Sequence, residues 1–129
     1  GKGATPPARL LALIEAWPGA TFICAHWGGG LPFYAHMPEV RAALANVYFD
    51  SAASPFLYDA EVFRTVARTV GVAHMLFGSD FPLLPVERAL DEVRESLGTD
   101  AARATQSGIV GIDRVISMIR WITVSAKPP

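Results

Sequence analysis

An aspartate and a histidine each follow an apolar segment of this chain, at the point where a strand would end. The apolar segment 73–77 leads into Asp80, and Pro82 then prevents a strand from continuing. The apolar segment 21–25 leads directly into His26. Because α/β folds place their chemistry at the carboxyl ends of parallel strands, we expect Asp80 and His26 to lie at one edge of a sheet.

Asp80 and His26 each have a chemical and a structural interpretation. Asp80 is a candidate metal ligand or general base, or else a turn residue whose carboxylate accepts hydrogen bonds from nearby backbone N–H groups. His26 is a candidate metal ligand or an imidazole that acts on developing negative charge, or else a histidine bonded to a backbone carbonyl. The residue types alone leave both pairs of alternatives open.

Candidate substrate contacts lie close to these two residues or at the matching end of another strand. Gly28 and Gly29 belong to a run of three glycines, which lets a ligand approach the backbone and could hold an anion at a helix start. Asp50 ends the segment 47–50 and Ser51 follows it, and each either contacts substrate or caps a loop. The aromatic side chains that could wall a pocket, or simply pack, are Trp27, Phe33, Tyr34 and Phe56.

Three further residues with reactive side chains are expected to be structural. Cys24 is the only cysteine and lies in an apolar segment, which favours a small buried side chain. No disulfide can form within the chain, and this fits a cytoplasmic location. His74 lies at the end of its strand away from the carboxyl edge, and His36 has no evident partner in the sequence.

The composition is that of a globular protein. Of the 129 residues, 51% are hydrophobic and 18% are charged, and the formal net charge is −1. This charge gives no electrostatic basis for binding nucleic acid, and no apolar run approaches the length of a membrane span. We therefore expect a small-molecule substrate as the partner, and neither nucleic acid nor membrane.

Candidate strands and helices alternate along the chain. The strands begin near residues 21, 47 and 73, a spacing of about 26 residues that fits successive βα units. Thr5 is a candidate cap for a helix that starts at Pro6, with an apolar stripe of Leu10, Leu13, Ile14 and Trp17. The remaining helix signals are a broken segment 30–44 with restarts at Pro32 and Pro38, a helix from Asp59 to Gly71, and a helix from Pro85 to Gly98.

These elements predict an α/β fold, a partial (β/α) barrel of about three parallel strands alternating with helices. We assign residues 1–98 to this partial barrel. Residues 99–129 form an atypical tail, a polar linker followed by an isoleucine-rich segment that could be a helix or a strand. Because a partial barrel exposes strand edges and an apolar inner face, we expect a homo-oligomer.

Three stretches of the sequence together resemble a known family. They are residues 23–33 (ICAHWGGGLPF), 46–51 (NVYFDS) and 75–82 (MLFGSDFP). In this order and spacing they resemble the C-terminal half of the amidohydrolase-related family, in the branch of metal-dependent βα-barrel enzymes that includes aminocarboxymuconate semialdehyde decarboxylase. The resemblance implies that the three strands are the sixth, seventh and eighth of a barrel. It further implies that Asp80 binds a metal, and that His26 polarises the substrate or moves a proton.

The chain departs from the family pattern at its metal ligands. The paired histidines of the family's first strand and the histidine of its fifth strand have no counterpart here. A catalytic zinc takes three protein ligands, so a zinc held by Asp80 and His26 alone is expected to be weakly bound or absent.

The resemblance implies a metal-dependent hydrolase of an amide, ester or lactone, or a decarboxylase of the same family. A truncated, inactive fragment that self-associates is the first alternative. The second is a metal-independent hydrolase in which His26 is the base and Ser51 or Ser79 the nucleophile, although no Gly-x-Ser-x-Gly motif is present.

Overall fold

A three-stranded parallel sheet forms the centre of the protein. The computed structural model describes residues 6–99, 101 and 105. Strands β1 (Phe22–Cys24), β2 (Val47–Asp50) and β3 (Met75–Leu76) lie in the order β1-β2-β3. Phe22 is in register with Val47, and Phe49 with Met75. The predicted parallel strands are confirmed, and all three present their carboxyl ends at the same edge.

Helices connect and follow the strands, which confirms the predicted partial (β/α) barrel. The α-helices are α1 (Pro7–Ala16), α2 (Pro38–Ala43), α3 (Ser54–Leu57), α4 (Glu61–Thr69) and α5 (Val86–Leu97). Short 3₁₀ segments cover His26–His36, Leu44–Asn46 and Val72–His74. Asp59 Oδ1 accepts a hydrogen bond from the Glu61 N–H at 3.0 Å, as expected of a residue at a helix start. Gly71 and Gly98 follow α4 and α5 with positive φ, as expected at helix ends.

The core lies between the central strand and the helices. Val47 and Phe49 of β2 are fully buried, and they alternate with half-buried neighbours along the strand. Helix α4 buries Phe63 and Val66 on one face, and α5 buries Val93 in the same cluster. This apolar cluster packs the helices against the sheet, and the burial of its side chains stabilises the strands that position the site.

Helix α1 differs from its prediction. It begins at Pro7 with Pro6 in the capping position, whereas Thr5 lies outside the described residues. Leu13 and Trp17 were predicted to face the core, but they are 49% and 65% exposed. The reason is that α1 packs mainly on the His26–His36 segment and α2, which cover the side of the helix that carries Ile14.

Most of the other elements are shorter than predicted. β1 ends at Cys24 because the backbone turns left-handed at His26, and β3 begins only at Met75 because residues 72–74 form a 3₁₀ turn. Pro38 starts a helix as predicted, whereas Pro32 lies inside a 3₁₀ segment. The short helix α3 was not predicted.

The predicted tail lies mainly outside the described residues. Of residues 99–129 the structure describes 99, 101 and 105, and the Phe77 N–H donates to the Thr105 carbonyl at 3.4 Å. The assignment of this tail as a helix or a strand therefore stays a prediction. No helix among the described residues has the length and apolar character that a membrane span requires.

Candidate active site

His26, Asp50 and Asp80 meet at the edge where the three strands end. Each follows or ends one strand of the sheet. Asp50 Oδ1 accepts a hydrogen bond from the His26 backbone N–H at 2.8 Å, which joins the ends of β1 and β2. The charges of His26 and Asp80 both act on the Asp50 carboxyl. The structure therefore brings the predicted site residues His26 and Asp80 to the same edge, where the charge of each acts on the Asp50 carboxyl.

The backbone at this edge is unusual. Residues 26–30 form a left-handed turn in which every φ is positive, from 54° at His26 to 95° at Gly30. His26, Trp27, Ala53 and Asp80 are the non-glycine residues with positive φ in the described part of the chain, and all belong to the loops that follow the strands. Such backbone costs about 1–2 kcal/mol per non-glycine residue. Its concentration at one edge is typical of functional sites.

The His26 imidazole is held by a backbone carbonyl. Its Nδ1 atom lies 3.0 Å from the Ala52 carbonyl oxygen. A carbonyl oxygen only accepts hydrogen bonds, so Nδ1 must carry a proton. In the neutral ring the lone pair is then on Nε2, which can accept a proton, bind a metal or, once protonated, donate.

The Asp50 carboxylate accepts hydrogen bonds from backbone N–H groups. Its Oδ1 accepts a second hydrogen bond, from the Ala52 N–H at 3.0 Å. Burial raises the pKa of the Asp50 carboxyl and the Asp80 charge adds to this rise, whereas the two backbone N–H groups and the charge of His26 oppose it. These contacts favour the loop-capping interpretation of Asp50 over direct substrate contact.

Asp80 is the exposed carboxylate of the site. Its φ is 60°, a conformation that aspartate tolerates better than most residues, and its carbonyl accepts from the Leu83 N–H at 2.9 Å. Ser79 Oγ accepts the Phe81 N–H at 3.3 Å, so the turn is closed by Ser79 and not by the Asp80 carboxylate. Among the hydrogen bonds of the described residues, none engages that carboxylate, and it is therefore available to a ligand.

Ser51 ties β2 to the loop that follows β3. Its buried Oγ accepts from the Gly78 N–H at 3.2 Å and lies 3.4 Å from the Gly78 carbonyl oxygen. The backbone of Gly78 also approaches Ala52 closely, because a Cβ at Gly78 would lie 3.0 Å from the Ala52 Cβ. Ser51 thus has a structural contact where sequence reasoning proposed a substrate contact or a nucleophile.

Trp27 is a core residue and not a pocket wall. Its side chain is 0% exposed and packs edge-to-face on Phe63, with ring centroids 5.4 Å apart. Its Nε1 donates to Ser54 Oγ at 2.8 Å, and Ser54 Oγ in turn donates to the Ser51 carbonyl at 2.6 Å. The prediction that Trp27 contacts substrate is corrected accordingly, since a fully enclosed ring has no surface to offer.

The remaining predicted contacts divide between core and surface. Gly28 is buried against the Phe49 ring, at a point where an added Cβ would be 3.1 Å away, whereas Gly29 is exposed. Phe33 is 37% exposed and packs edge-to-face on Tyr58 at 6.0 Å. Gly29 and Phe33 therefore remain accessible to a ligand, and Gly28 serves packing.

The residues expected to be structural have structural surroundings. His74 Nδ1 lies 2.8 Å from the Val47 carbonyl oxygen, and its ring stacks on Tyr48. Cys24 is buried, and burial together with the Asp50 charge raises the pKa of its thiol to about 12. His36 is exposed. None of the three has the environment of a catalytic group.

The described residues do not by themselves form a metal centre. Within residues 6–99, 101 and 105, no group of three or more His, Cys, Asp or Glu side chains could hold a metal ion. Asp80 and the Nε2 atom of His26 are the site groups able to serve as ligands. A divalent metal at this edge would need ligands from elsewhere.

Sequence reasoning missed two groups that shape the site, the Ala52 carbonyl and the Ser54 hydroxyl. A backbone carbonyl leaves no signal in residue types. Ser54 precedes Pro55, a pair that is common at a helix start, and this signal could have revealed α3.

Known proteins resemble this chain in sequence or in fold. The chain is 30% identical to a 6-methylsalicylic acid decarboxylase of Penicillium expansum, over 60% of this chain and 28% of that protein. Two crystal structures resemble the fold at 17% and 18% identity. One is a dihydroxybenzoic acid decarboxylase of Polaromonas with bound manganese and the inhibitor 2-nitroresorcinol (TM-score 0.61), and the other a 2,6-dihydroxybenzoate decarboxylase from Rhizobium (TM-score 0.59). Each likeness covers 77% of this chain and 36% of the other.

The chain thus spans about a third of the length of these relatives. The relatives are named as decarboxylases, and each is a larger protein than this chain. The structural likeness establishes the barrel-type fold. The model of the family described as Amidohydrolase matches residues 4–108, which is most of the chain, and the chain therefore belongs to the amidohydrolase family.

Proposed function

We propose that this chain carries part of the active site of a decarboxylase that acts on a hydroxylated aromatic acid. The observation that carries the proposal is the shared chemistry of its relatives, whose substrates are named as 6-methylsalicylic and dihydroxybenzoic acids. In each case a carboxylate sits on a ring that also bears a hydroxyl group. The exposed Asp80 and the half-buried His26 lie at the edge where such a substrate would bind.

The reaction replaces the ring carboxylate by a proton. An acid transfers a proton to the ring carbon that bears the carboxylate, the bond from that carbon to the carboxylate breaks, and carbon dioxide leaves while its bonding electron pair restores the aromatic ring. We assign the proton transfer to His26 in its imidazolium form, in which Nδ1–H is held by the Ala52 carbonyl and the proton on Nε2 is the one transferred. Solvent then reprotonates Nε2.

We assign Asp80 the role of a ligand for a divalent metal. Its carboxylate is exposed and is not used by the described hydrogen bonds, and a related structure holds manganese. His26 Nε2 was also a candidate ligand, but one lone pair cannot bind a metal and carry the proton together. The described residues of the site supply too few ligands for a zinc or manganese ion, so the remaining ligands would come from elsewhere.

Two other enzymatic functions and a non-catalytic role are less well supported. A metal-independent serine hydrolase is disfavoured because Ser51 and Ser79 both use their hydroxyls for backbone contacts. Hydrolysis of an amide, ester or lactone belongs to the same family, but the relatives reported above are decarboxylases. A chain without turnover is the alternative favoured by one observation, the incomplete ligand set of the described residues.

An assay of the complete chain tests the proposal. The chain is incubated with 2,6-dihydroxybenzoate or 6-methylsalicylate, with manganese, zinc or a chelator, and the loss of the carboxylate is followed by chromatography. We expect carbon dioxide release that falls about 10²–10⁴-fold in His26→Asn and is unchanged in the matched surface variant His36→Asn.

Metal content separates the roles of the two residues. Asp80→Ala is expected to retain less manganese or zinc after gel filtration than the unmodified chain, whereas His26→Asn is expected to retain as much. Equal metal in Asp80→Ala would contradict the ligand assignment. Ester hydrolysis that resists chelator, without carbon dioxide release, would contradict decarboxylation, and the absence of all turnover would support the non-catalytic alternative.

A further inference from the structure

We infer that Asp50 is a positioning residue that fixes both the backbone conformation and the ring tautomer of His26. The role of His26 in proton transfer rests on the proposed function, but the positioning itself does not. The inference comes from three hydrogen bonds that close a ring among Asp50, Ala52 and His26.

The left-handed backbone of His26 is held by the Asp50 carboxylate. His26 opens the left-handed turn with φ at 54°, a conformation that a side chain with a Cβ disfavours. Asp50 Oδ1 accepts the His26 N–H at 2.8 Å across 24 positions of sequence. A hydrogen bond to a carboxylate is stronger than one between neutral groups, and it holds this N–H in the direction that the left-handed turn requires.

The His26 ring is held by Asp50 through Ala52. The same oxygen of Asp50 accepts the Ala52 N–H at 3.0 Å, and Ala52 presents its carbonyl oxygen 3.0 Å from His26 Nδ1. Ala53, the next residue, has φ at 57°, so the peptide that carries this carbonyl lies in strained backbone as well. Asp50 therefore holds the residue that in turn selects the Nδ1–H tautomer and leaves Nε2 of the neutral ring unprotonated.

The contact geometry shows which property of Asp50 matters. One oxygen, Oδ1, accepts both backbone N–H groups. An asparagine has a carbonyl oxygen that can take this place, whereas an alanine has no acceptor. Asp50→Asn should therefore preserve the position of His26, and Asp50→Ala should release it.

Nuclear magnetic resonance of the complete chain tests the inference without substrate or metal. Long-range ¹H–¹⁵N spectra at a pH where the rings are neutral report the tautomer of each histidine. We expect the Nδ1–H tautomer at His26 in the unmodified chain and in Asp50→Asn, and a mixture of both tautomers in Asp50→Ala, with the His26 amide proton losing its protection from solvent exchange.

The chain supplies its own controls. His74 Nδ1 is held by the Val47 carbonyl at 2.8 Å and should keep the Nδ1–H tautomer in every variant. Asp59 Oδ1 also accepts a backbone N–H two residues ahead, at 3.0 Å from Glu61 N, so Asp59→Ala is the matched substitution and should leave His26 unchanged.

Three results would each overturn the inference. They are an Nε2–H tautomer at His26 in the unmodified chain, an Nδ1–H tautomer that persists in folded Asp50→Ala, and loss of that tautomer in Asp50→Asn. If Asp50→Ala does not fold, the unmodified chain and Asp50→Asn still decide. The decarboxylation assay is separate, so a chain with the expected tautomers and no turnover would refute the proposed function and leave the positioning role intact.

Discussion

Gly28 is the residue at which the left-handed turn is packed most tightly. Its φ is 56°, and an added Cβ would lie 3.1 Å from the Phe49 ring, 3.2 Å from the Cys24 Cβ and 3.3 Å from the Leu10 side chain. A side chain here would meet both an unfavourable backbone conformation and a filled core. Gly28 therefore lets the chain leave β1 and turn back over the sheet while holding His26 at the edge.

Three glycine-to-alanine variants separate these two effects. Gly28→Ala is expected to lower the free energy of unfolding by about 1–2 kcal/mol for the left-handed backbone and a further 1–3 kcal/mol or so for overpacking. Gly71→Ala, where φ is 92°, ψ is 149° and nothing lies within 4 Å of an added Cβ, should lose about 1–3 kcal/mol for its own backbone conformation and nothing for overpacking. Gly19→Ala has neither problem and should leave stability unchanged or raise it by about 0.4–1 kcal/mol.

Urea unfolding followed by circular dichroism measures the three changes in free energy. A loss of no more than about 1–2 kcal/mol in Gly28→Ala would show that the core around Gly28 can relax. A large loss of stability in Gly19→Ala would contradict the backbone conformation that the structure shows at Gly19.

At the scale of elements, the short helix α3 anchors the left-handed turn to the sheet. Ser54, its first residue, accepts the hydrogen bond of Trp27 Nε1 at 2.8 Å and donates to the Ser51 carbonyl at 2.6 Å. Both Ser54 and Trp27 are buried, so no solvent can replace a lost partner. One hydroxyl thus connects the loop after β1 to the loop after β2.

Removing the Ser54 hydroxyl is expected to destabilise the protein markedly, although the group is small. Ser54→Ala leaves the buried indole N–H without an acceptor and is expected to lower the free energy of unfolding by about 1–3 kcal/mol. In a Trp27→Phe background the same substitution should cost clearly less, because the indole N–H is already absent. A double-mutant cycle in urea gives the coupling, and a coupling near zero would show that this hydrogen bond contributes nothing to stability.

The described sheet has two edge strands, and several apolar side chains of the protein are exposed. β1 and β3 each pair with β2 on one side only in the sheet that the structure describes. Phe81 is 75% exposed, and Trp17 and Phe56 are exposed as well. Exposed edges and apolar surface favour association between chains.

We accordingly predict that the isolated chain self-associates. Sedimentation velocity should show a mass of at least two chains at micromolar concentration, and the association should persist at high salt because apolar surface carries it. Trp17→Ser and Phe81→Ser each remove one exposed aromatic side chain and should weaken the self-association. Glu39→Ser, at an exposed charged position, is the control and should leave it unchanged. A monomer at micromolar concentration would contradict the prediction.

Local patterns in the sequence predicted most of the elements in their correct order, with the short helix α3 as the exception. Apolar segments predicted three parallel strands, Asp59 and Gly71 predicted the ends of α4, and Pro38 predicted the start of α2. These features follow from local rules, because a cap, a proline or a short apolar run acts on its immediate neighbours. The same local motifs indicated the amidohydrolase family, which the family match confirms.

The contacts of the site residues depend on the folded chain and could not be predicted from the sequence. Trp27 belongs to the core, Asp50 binds backbone N–H groups, and the Ala52 carbonyl selects the proton position on His26. The contact from Asp50 to His26 spans 24 positions and that from Ala52 to His26 spans 26. Local pattern carries no information about such partners, since they meet only after parallel strands align their carboxyl ends at one edge.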